Sequence, residues 1–377
     1  RDVADGQDTL GRFPSTAPKI FKRIAAAWGD AGVIIPHKML QWYADTASLK
    51  EMYPYMKAWM DYRIENTNNY IADLGSYGDW QNVESETDIK FISTAYLAYC
   101  AQLMYKSSTW VGQYEDTKYY YDIAEKVRYA MCDSFFLDSA RIKNETQTAY
   151  LLALHFNLIP GDIPAATAVE HLERLIYEHD TTLSTGILGT QLILPVLSRY
   201  GKTDLAYKLL LNEKYPSWGY QINQGATTIW ERWNSYQPDP GFYDDKTNSL
   251  NHYAYGAVGE WLFSNVAGIK LIHSMGFEFI ELSPKVCDEM TYAKASYQSI
   301  NGLIECGWSK SDSALRYSIQ IPVNTSAQLV LPSTDFDNIR INNVPLKSFQ
   351  YPMSIMEVNN ETKFWLGSGH YEFDFFN

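Results

Sequence analysis

Apolar residues recur three and four positions apart from about residue 31 to 270, then two apart towards the end. The first pattern predicts helices in pairs. Residues 31–45 and 47–66 form one pair, with Asp45 or Thr46 as the cap between them. The next pairs are 88–107, opened by Thr87, with 114–137, then 146–157 with 164–178, and 187–200 with 203–213. A ninth helix is expected over 252–268, where Tyr255, Val258, Leu262 and Val266 keep helical spacing. Pro160-Gly161 and Gly201 read as stops. The connections at 67–86 and 214–251 are longer than packing needs, and long ordered loops usually carry function.

After Gly276 the period changes. Leu315, Tyr317, Ile319 and Ile321 alternate with polar neighbours, as do Gln328 and Val330, and Tyr371, Phe373 and Phe375. Asn342-Asn343 and Asn359-Asn360 supply turns. The expected division is therefore a helical-hairpin domain over 1–275 and an antiparallel β-sandwich over 276–377. The sandwich offers no catalytic cluster, so its expected role is to cover and brace the helices.

Composition narrows the chemistry. A net charge of −13 disfavours a nucleic-acid partner, and no apolar run is long enough to enter a membrane. Cys100, Cys132, Cys287 and Cys306 show no metal-binding or redox spacing, and Cys100 and Cys132 read as buried thiols. The 11 Trp, 29 Tyr and 16 Phe matter more, because the Trp residues gather in polar, Gly-containing segments. Flat side chains beside carboxylates suit the apolar faces of sugar rings.

Gly225-Ala226-Thr227-Thr228-Ile229-Trp230-Glu231-Arg232-Trp233 is the strongest such segment. Glu231 could simply pair with Arg232, or act as a general acid or base facing a sugar cleft. Trp28-Gly29-Asp30 and Gly78-Asp79-Trp80 repeat the acid-and-Trp combination. Singly, Asp30 and Asp79 read better as loop braces or helix caps. His252 stands where the ninth helix begins, with a buried structural histidine as its plain alternative. His37, His155, His171, His179, His273 and His370 lack comparable neighbours and are read as structural.

At these motifs the chain resembles bacterial α-L-rhamnosidases of glycoside hydrolase family 78. The resemblance runs through Ala27 to Ala31, Gly78 to Trp80, Leu183 to Gly186 with Gly189-Thr190, and Pro216 to Tyr220. It continues through Gly225 to Trp233 and Ser249 to Trp261, then Ile321-Pro322 and Asn324-Thr325. It implies an (α/α)6 barrel with a C-terminal β-sandwich, and inverting hydrolysis without a metal or other cofactor. By matched position Glu231 would be the general base, and Trp28, Trp80 and His252 would contact the rhamnose ring. Asp30, Asp79 and Trp230 are placed beside the same pocket. The implied partner is a rhamnose-containing oligosaccharide or glycoside, and a homodimer is compatible with it. A secreted or periplasmic location is preferred to a cytoplasmic one.

One departure is expected to matter. The family's general acid is a Glu in an Asp-Glu-Arg-type motif upstream of the segment matching Trp28, and these 377 residues contain none. Nine helices are counted where such a barrel has twelve. The expectation is an incomplete ring that hydrolyses little by itself. Two other readings stay open, a trehalase- or glucoamylase-like six-hairpin enzyme and a sugar-binding fragment without turnover.

Overall fold

The computed structural model describes every residue except 20–22, 240, 244–246, 273–274, 333–334, 349–354, 359–360 and 377, and, among side chains, also excepting 355–358 and 361. The turn expected at Asn359-Asn360 and the reading of His273 lie outside the described residues. Two compact units emerge, Arg1–Lys38 with Thr46–Val258, and Met39–Asp45 with Gly259–Asn377.

In the first unit a short helix, α1 (Asp2–Asp5), precedes the expected hairpins. These are α2 (Ala31–Tyr43) and α3 (Thr46–Glu65), α4 (Ile89–Val111) and α5 (Tyr114–Phe135), α6 (Gln147–His155) and α7 (Asp162–Glu178), and α8 (Ile187–Arg199) and α9 (Thr203–Leu210). Burial sorts them into two layers. In α6 every residue from Gln147 to Leu154 is buried, and α4 and α8 are buried on most of their surface. Helices apolar nearly all round belong inside. Accordingly α4 packs on α6 and α6 on α8, while α5, α7 and α9 each cover one of them. The outer helices α5 and α7 bury a single stripe, such as Ala165, Ala168, Val169, Leu172 and Ile176.

The helix starts differ from expectation in one instructive place. Asp88, not Thr87, caps α4, accepting from the N–H groups of Lys90 at 2.7 Å and Phe91 at 3.3 Å. Thr87 instead bonds Thr146, the cap of α6, at 2.7 Å between hydroxyls. The long connections hold two small ribbons, β1 (Thr67–Asn68) with β2 (Ile71–Ala72) and β3 (Tyr236–Gln237) with β4 (Gly241–Phe242). Between them lies a short helix that the periodicity did not reveal, α10 (Trp218–Asn223), capped by Ser217. The expected ninth helix is broken. A 3₁₀ turn over Ala254–Ala257 passes into α11 (Val258–Trp261) and a π turn over Leu262–Val266. Gly256 and Gly259 weaken helix here, and the Trp218 indole takes the Tyr255 carbonyl at 3.0 Å.

Two buried groups anchor this unit. The Asp30 carboxylate accepts from the Arg63 guanidinium and, at 2.9 Å, from the Trp59 indole, joining the start of α2 to α3. His37 is buried with Nδ1 3.0 Å from the Ser107 hydroxyl, which ties α2 to α4. Cys100 is a buried thiol whose pKa is pushed well up by burial; Cys132 is only half-buried, contrary to expectation.

The second unit has two sheets. One runs β13 (Ile355–Val358), β14 (Glu361–Leu366), β10 (Ser326–Val330), β6 (Phe279–Leu282), β5 (Ile269–Leu271). The other runs β12 (Val344–Pro345), β11 (Ile339–Ile341), β15 (Gly369–Phe376), β9 (Ala314–Ile321), β8 (Gly302–Lys310), β7 (Tyr292–Ser299). Their inner faces share one core, with Ile280, Leu282 and Leu329 from the first and Ile304, Trp308, Ile319 and Phe373 from the second. The alternation in β9 and β15 is read correctly, but in β10 Ala327 and Leu329 are the buried pair, not Gln328 and Val330. All pairings are antiparallel except β6 with β10, which run parallel. The intervening β7–β9 meander supplies the long crossover that a parallel pair requires. Asn342 and Asn343 both have positive φ at the turn between β11 and β12.

The unit begins upstream of residue 276. Ile269–Leu271 is already a sheet strand, and the Trp308 indole donates to the Val266 carbonyl at 2.8 Å. Residues 39–45 belong with it because Trp42 packs on Phe277 and the Gln41 carbonyl accepts from Gly276 N–H at 2.9 Å.

Two outcomes are expected. Asp30→Ala strands the buried Arg63 charge and should destabilise the fold by about 3–5 kcal/mol in chemical denaturation. Burial pushes the His37 pKa down to about 4, with the charges of Lys106 and Lys38 adding to it, and burial does the same to His155. The unfolded chain takes up these protons below about pH 6.5 and the folded chain does not, so stability should fall as pH drops from 6.5 towards 4. Melting temperatures across that window check it, and His37→Gln should make the fall shallower.

Candidate active site

Glu231 lies in an extended segment between α10 and β3. Its backbone N–H donates to the Ser249 carbonyl at 2.9 Å, and the Ile229 carbonyl accepts from His252 N–H at 2.8 Å. Residues 229–231 and 249–252 thus run side by side. The Glu231 carboxylate is half-buried and has two donors, the Ser249 N–H at 3.0 Å and the Trp80 indole N–H at 3.4 Å. It does not pair with Arg232, whose guanidinium lies 4.1 Å from the centroid of the Tyr243 ring.

Trp80 arrives from the connection between β2 and α4. Its backbone is fixed by the residue before it. Asp79 is buried, and its carboxylate accepts from the Thr148 hydroxyl and from the N–H groups of Gly186 (2.7 Å), Leu188 (2.7 Å) and Gly189 (3.2 Å). It therefore supplies the anion that the N-terminus of α8 favours. The Trp80 carbonyl accepts from Ile187 N–H at 2.8 Å. Contact is so close that a Cβ on Gly186 would fall 2.2 Å from that carbonyl oxygen. Burial pushes the Asp79 pKa up, and the four hydrogen bonds oppose that shift.

Trp28 is reached through Tyr77. The Trp28 and Tyr77 rings are 4.8 Å apart, and Tyr77 meets Trp80 edge-on at 6.1 Å. Trp28, Tyr77, Trp80 and Glu231 therefore form one contiguous half-buried surface, although they come from three distant segments. His252 is half-buried and stacked on Tyr253, with Nδ1 accepting from Ala254 N–H at 3.2 Å. It lines a hollow with Thr228, Ile229, Asn251 and Tyr253, and Glu231 is not part of that lining.

Three of the residues expected beside the pocket are buried. Asp30 and Asp79 are closed to solvent with both carboxylate oxygens engaged, so they brace the site and do not line it. Trp230 is 4 % exposed and belongs to the core. Its neighbour Trp233 is equally buried, stacked on Tyr255 at 3.9 Å. Between these two buried rings, Glu231 and Arg232 are the half-buried pair at the bend. Tyr77 and Ser249 are contacts the sequence did not single out. Tyr77 stands directly before a quoted motif and Ser249 at the head of another, but their partners are far away in the chain. Among the described residues, no cluster of three or more His, Cys, Asp or Glu could hold a metal ion.

Comparison with known proteins fits this geometry. Residues 1–266 match the family model described as bacterial alpha-L-rhamnosidase 6 hairpin glycosidase domain, and residues 268–343 match bacterial alpha-L-rhamnosidase C-terminal domain. An alpha-L-rhamnosidase of Streptomyces avermitilis is 38% identical over 90% of the chain, and one of Formosa agariphila 34% identical over 99%. These matches span 33% and 41% of those relatives, so the chain covers well under half of either. The solved Streptomyces avermitilis alpha-L-rhamnosidase complexed with L-rhamnose superposes with a TM-score of 0.91 at 36% identity, covering 99% of this chain and 35% of that one. The solved alpha-L-rhamnosidase from Dictyoglumus thermophilum gives a TM-score of 0.90 at 28% identity, covering 100% of this chain and 42% of that one. With the first model spanning both the helical hairpins and every segment of the site, the chain belongs to the bacterial α-L-rhamnosidase six-hairpin glycosidase family.

Proposed function

We propose that the protein releases terminal α-L-rhamnose from rhamnosides by inverting hydrolysis, with Glu231 as the general base. The observation that carries the reading is the Glu231 carboxylate, held by the Trp80 and Ser249 N–H groups at the edge of an aromatic surface. Family membership and the likeness to a rhamnosidase that binds L-rhamnose support the substrate.

In this mechanism Glu231 takes a proton from a water molecule as the water oxygen bonds to the anomeric carbon. The bond from that carbon to the leaving oxygen breaks on the opposite face, and a general acid protonates the leaving oxygen. Glu231 already has two oxygens fixed by donors on different segments, so its aim is set before the sugar arrives. Trp28 and Trp80 offer ring faces to the apolar side of rhamnose. With Nδ1 of His252 accepting a backbone N–H, the proton sits on Nε2, which can donate to a sugar hydroxyl. The general acid is not assigned among residues 1–377, and an inverting pair would set it roughly 6.5–9.5 Å from Glu231.

The test is Glu231→Gln in the full-length protein with an aryl α-L-rhamnoside. Turnover should fall by about 10²–10⁴-fold, while calorimetric affinity for L-rhamnose and the melting temperature stay close to wild type. Near-normal turnover would remove Glu231 from the role of base.

A further inference from the structure

We infer that Tyr77, clamped by Arg23, is a positioning residue that sets the aim of the Trp80 indole on Glu231 and the spacing between Trp80 and Trp28. The inference rests on the reading of Glu231 as base and adds a pair of residues that the motifs did not single out.

Four observations converge on Tyr77. Its ring touches both tryptophans, at 4.8 Å from Trp28 and 6.1 Å from Trp80, so it is the spacer between them. Its other neighbour is a cation, the Arg23 guanidinium carbon lying 4.4 Å from the ring centroid. That guanidinium also donates to the Ser76 carbonyl at 2.9 Å, one residue before Tyr77, and Ala26 N–H donates to the Gly75 carbonyl at 3.0 Å. The Arg23–Trp28 segment is therefore buttoned along residues 75–77 by backbone and ring contacts together. Finally, among the described residues the Tyr77 hydroxyl makes no hydrogen bond, so the ring alone does the work.

Physics gives the spacer its role. Asp79 and Ile187 fix the Trp80 backbone, but an indole on a fixed backbone still rotates about two side-chain bonds. An edge-on contact at 79° removes that freedom from one side. What it preserves is the 3.4 Å hydrogen bond to Glu231, a long one that a small rotation would break. The cation over the Tyr77 ring keeps the spacer itself in place. Trp28 is set by the same ring, so one residue couples a sugar-stacking face to the base.

The experiment uses the full-length protein and an aryl α-L-rhamnoside, comparing Tyr77→Phe, Tyr77→Ala, Arg23→Met, Trp80→Phe and the Tyr77→Ala/Trp80→Phe double variant. Tyr77→Phe should keep wild-type kcat. Tyr77→Ala should lower kcat by about ten- to a hundred-fold, the weight of a hydrogen bond to a charged group. In the Trp80→Phe background, which has no indole N–H to aim, Tyr77→Ala should lower kcat by less than about threefold further. Such coupling separates positioning from a general structural loss, which would multiply through both backgrounds. Arg23 is exposed, so Arg23→Met should fold and still lose about threefold or more in kcat. It decides the matter if Tyr77→Ala does not fold. Wild-type kcat in Tyr77→Ala or Arg23→Met, full additivity with Trp80→Phe, or loss of activity in Tyr77→Phe would each overturn the inference. A wild-type protein without rhamnosidase activity would instead overturn the functional reading on which it rests.

Discussion

Asp79 is the constraint on which the site depends. A carboxylate closed to solvent is costly unless its oxygens are satisfied, and here one hydroxyl and three backbone N–H groups do so. Three of those donors belong to the first turn of α8, so the bond is also a weld between the 67–86 connection and an inner helix. The Trp80 carbonyl completes it through Ile187, and Gly186 is needed because the two backbones come too close for a side chain. The Trp80 indole that donates to Glu231 is carried from that fixed point.

The same device appears a second time. Asp30 bonds Ala27 N–H at 2.8 Å, closing the turn that carries Trp28, and pairs with Arg63 on α3. In both Trp28-Gly29-Asp30 and Gly78-Asp79-Trp80 the acid is buried and the tryptophan next to it, or two before it, is left half-open. The motif is thus a brace and a presented ring, with the acid holding what the ring displays. Glu231 reverses the arrangement, since the acid is presented and Trp230 and Trp233 are the buried supports.

That reversal explains what was and was not legible in the sequence. Eight helices and the change to strands follow from local periodicity, so they could be read directly. The break in the ninth helix was less legible, because the local Gly256 and Gly259 are joined there by a hydrogen bond from Trp218, 37 positions away. The parallel β6–β10 pair depends likewise on where a crossover goes. Motifs that set an acid beside a Trp do not reveal which side chain faces solvent, so Asp30, Asp79 and Trp230 were expected beside the pocket and are buried instead. Tyr77 carried no signal of its own, as its importance lies in contacts with Trp28 and Arg23 on another segment.

In the proposed reaction Glu231 activates water against the face of the sugar opposite the leaving oxygen. Proton NMR of the rhamnose first formed by the full-length protein from an aryl α-L-rhamnoside, recorded before mutarotation, tests it most directly. Inversion gives the β anomer as initial product. The α anomer would mean retention through a covalent intermediate and would contradict it.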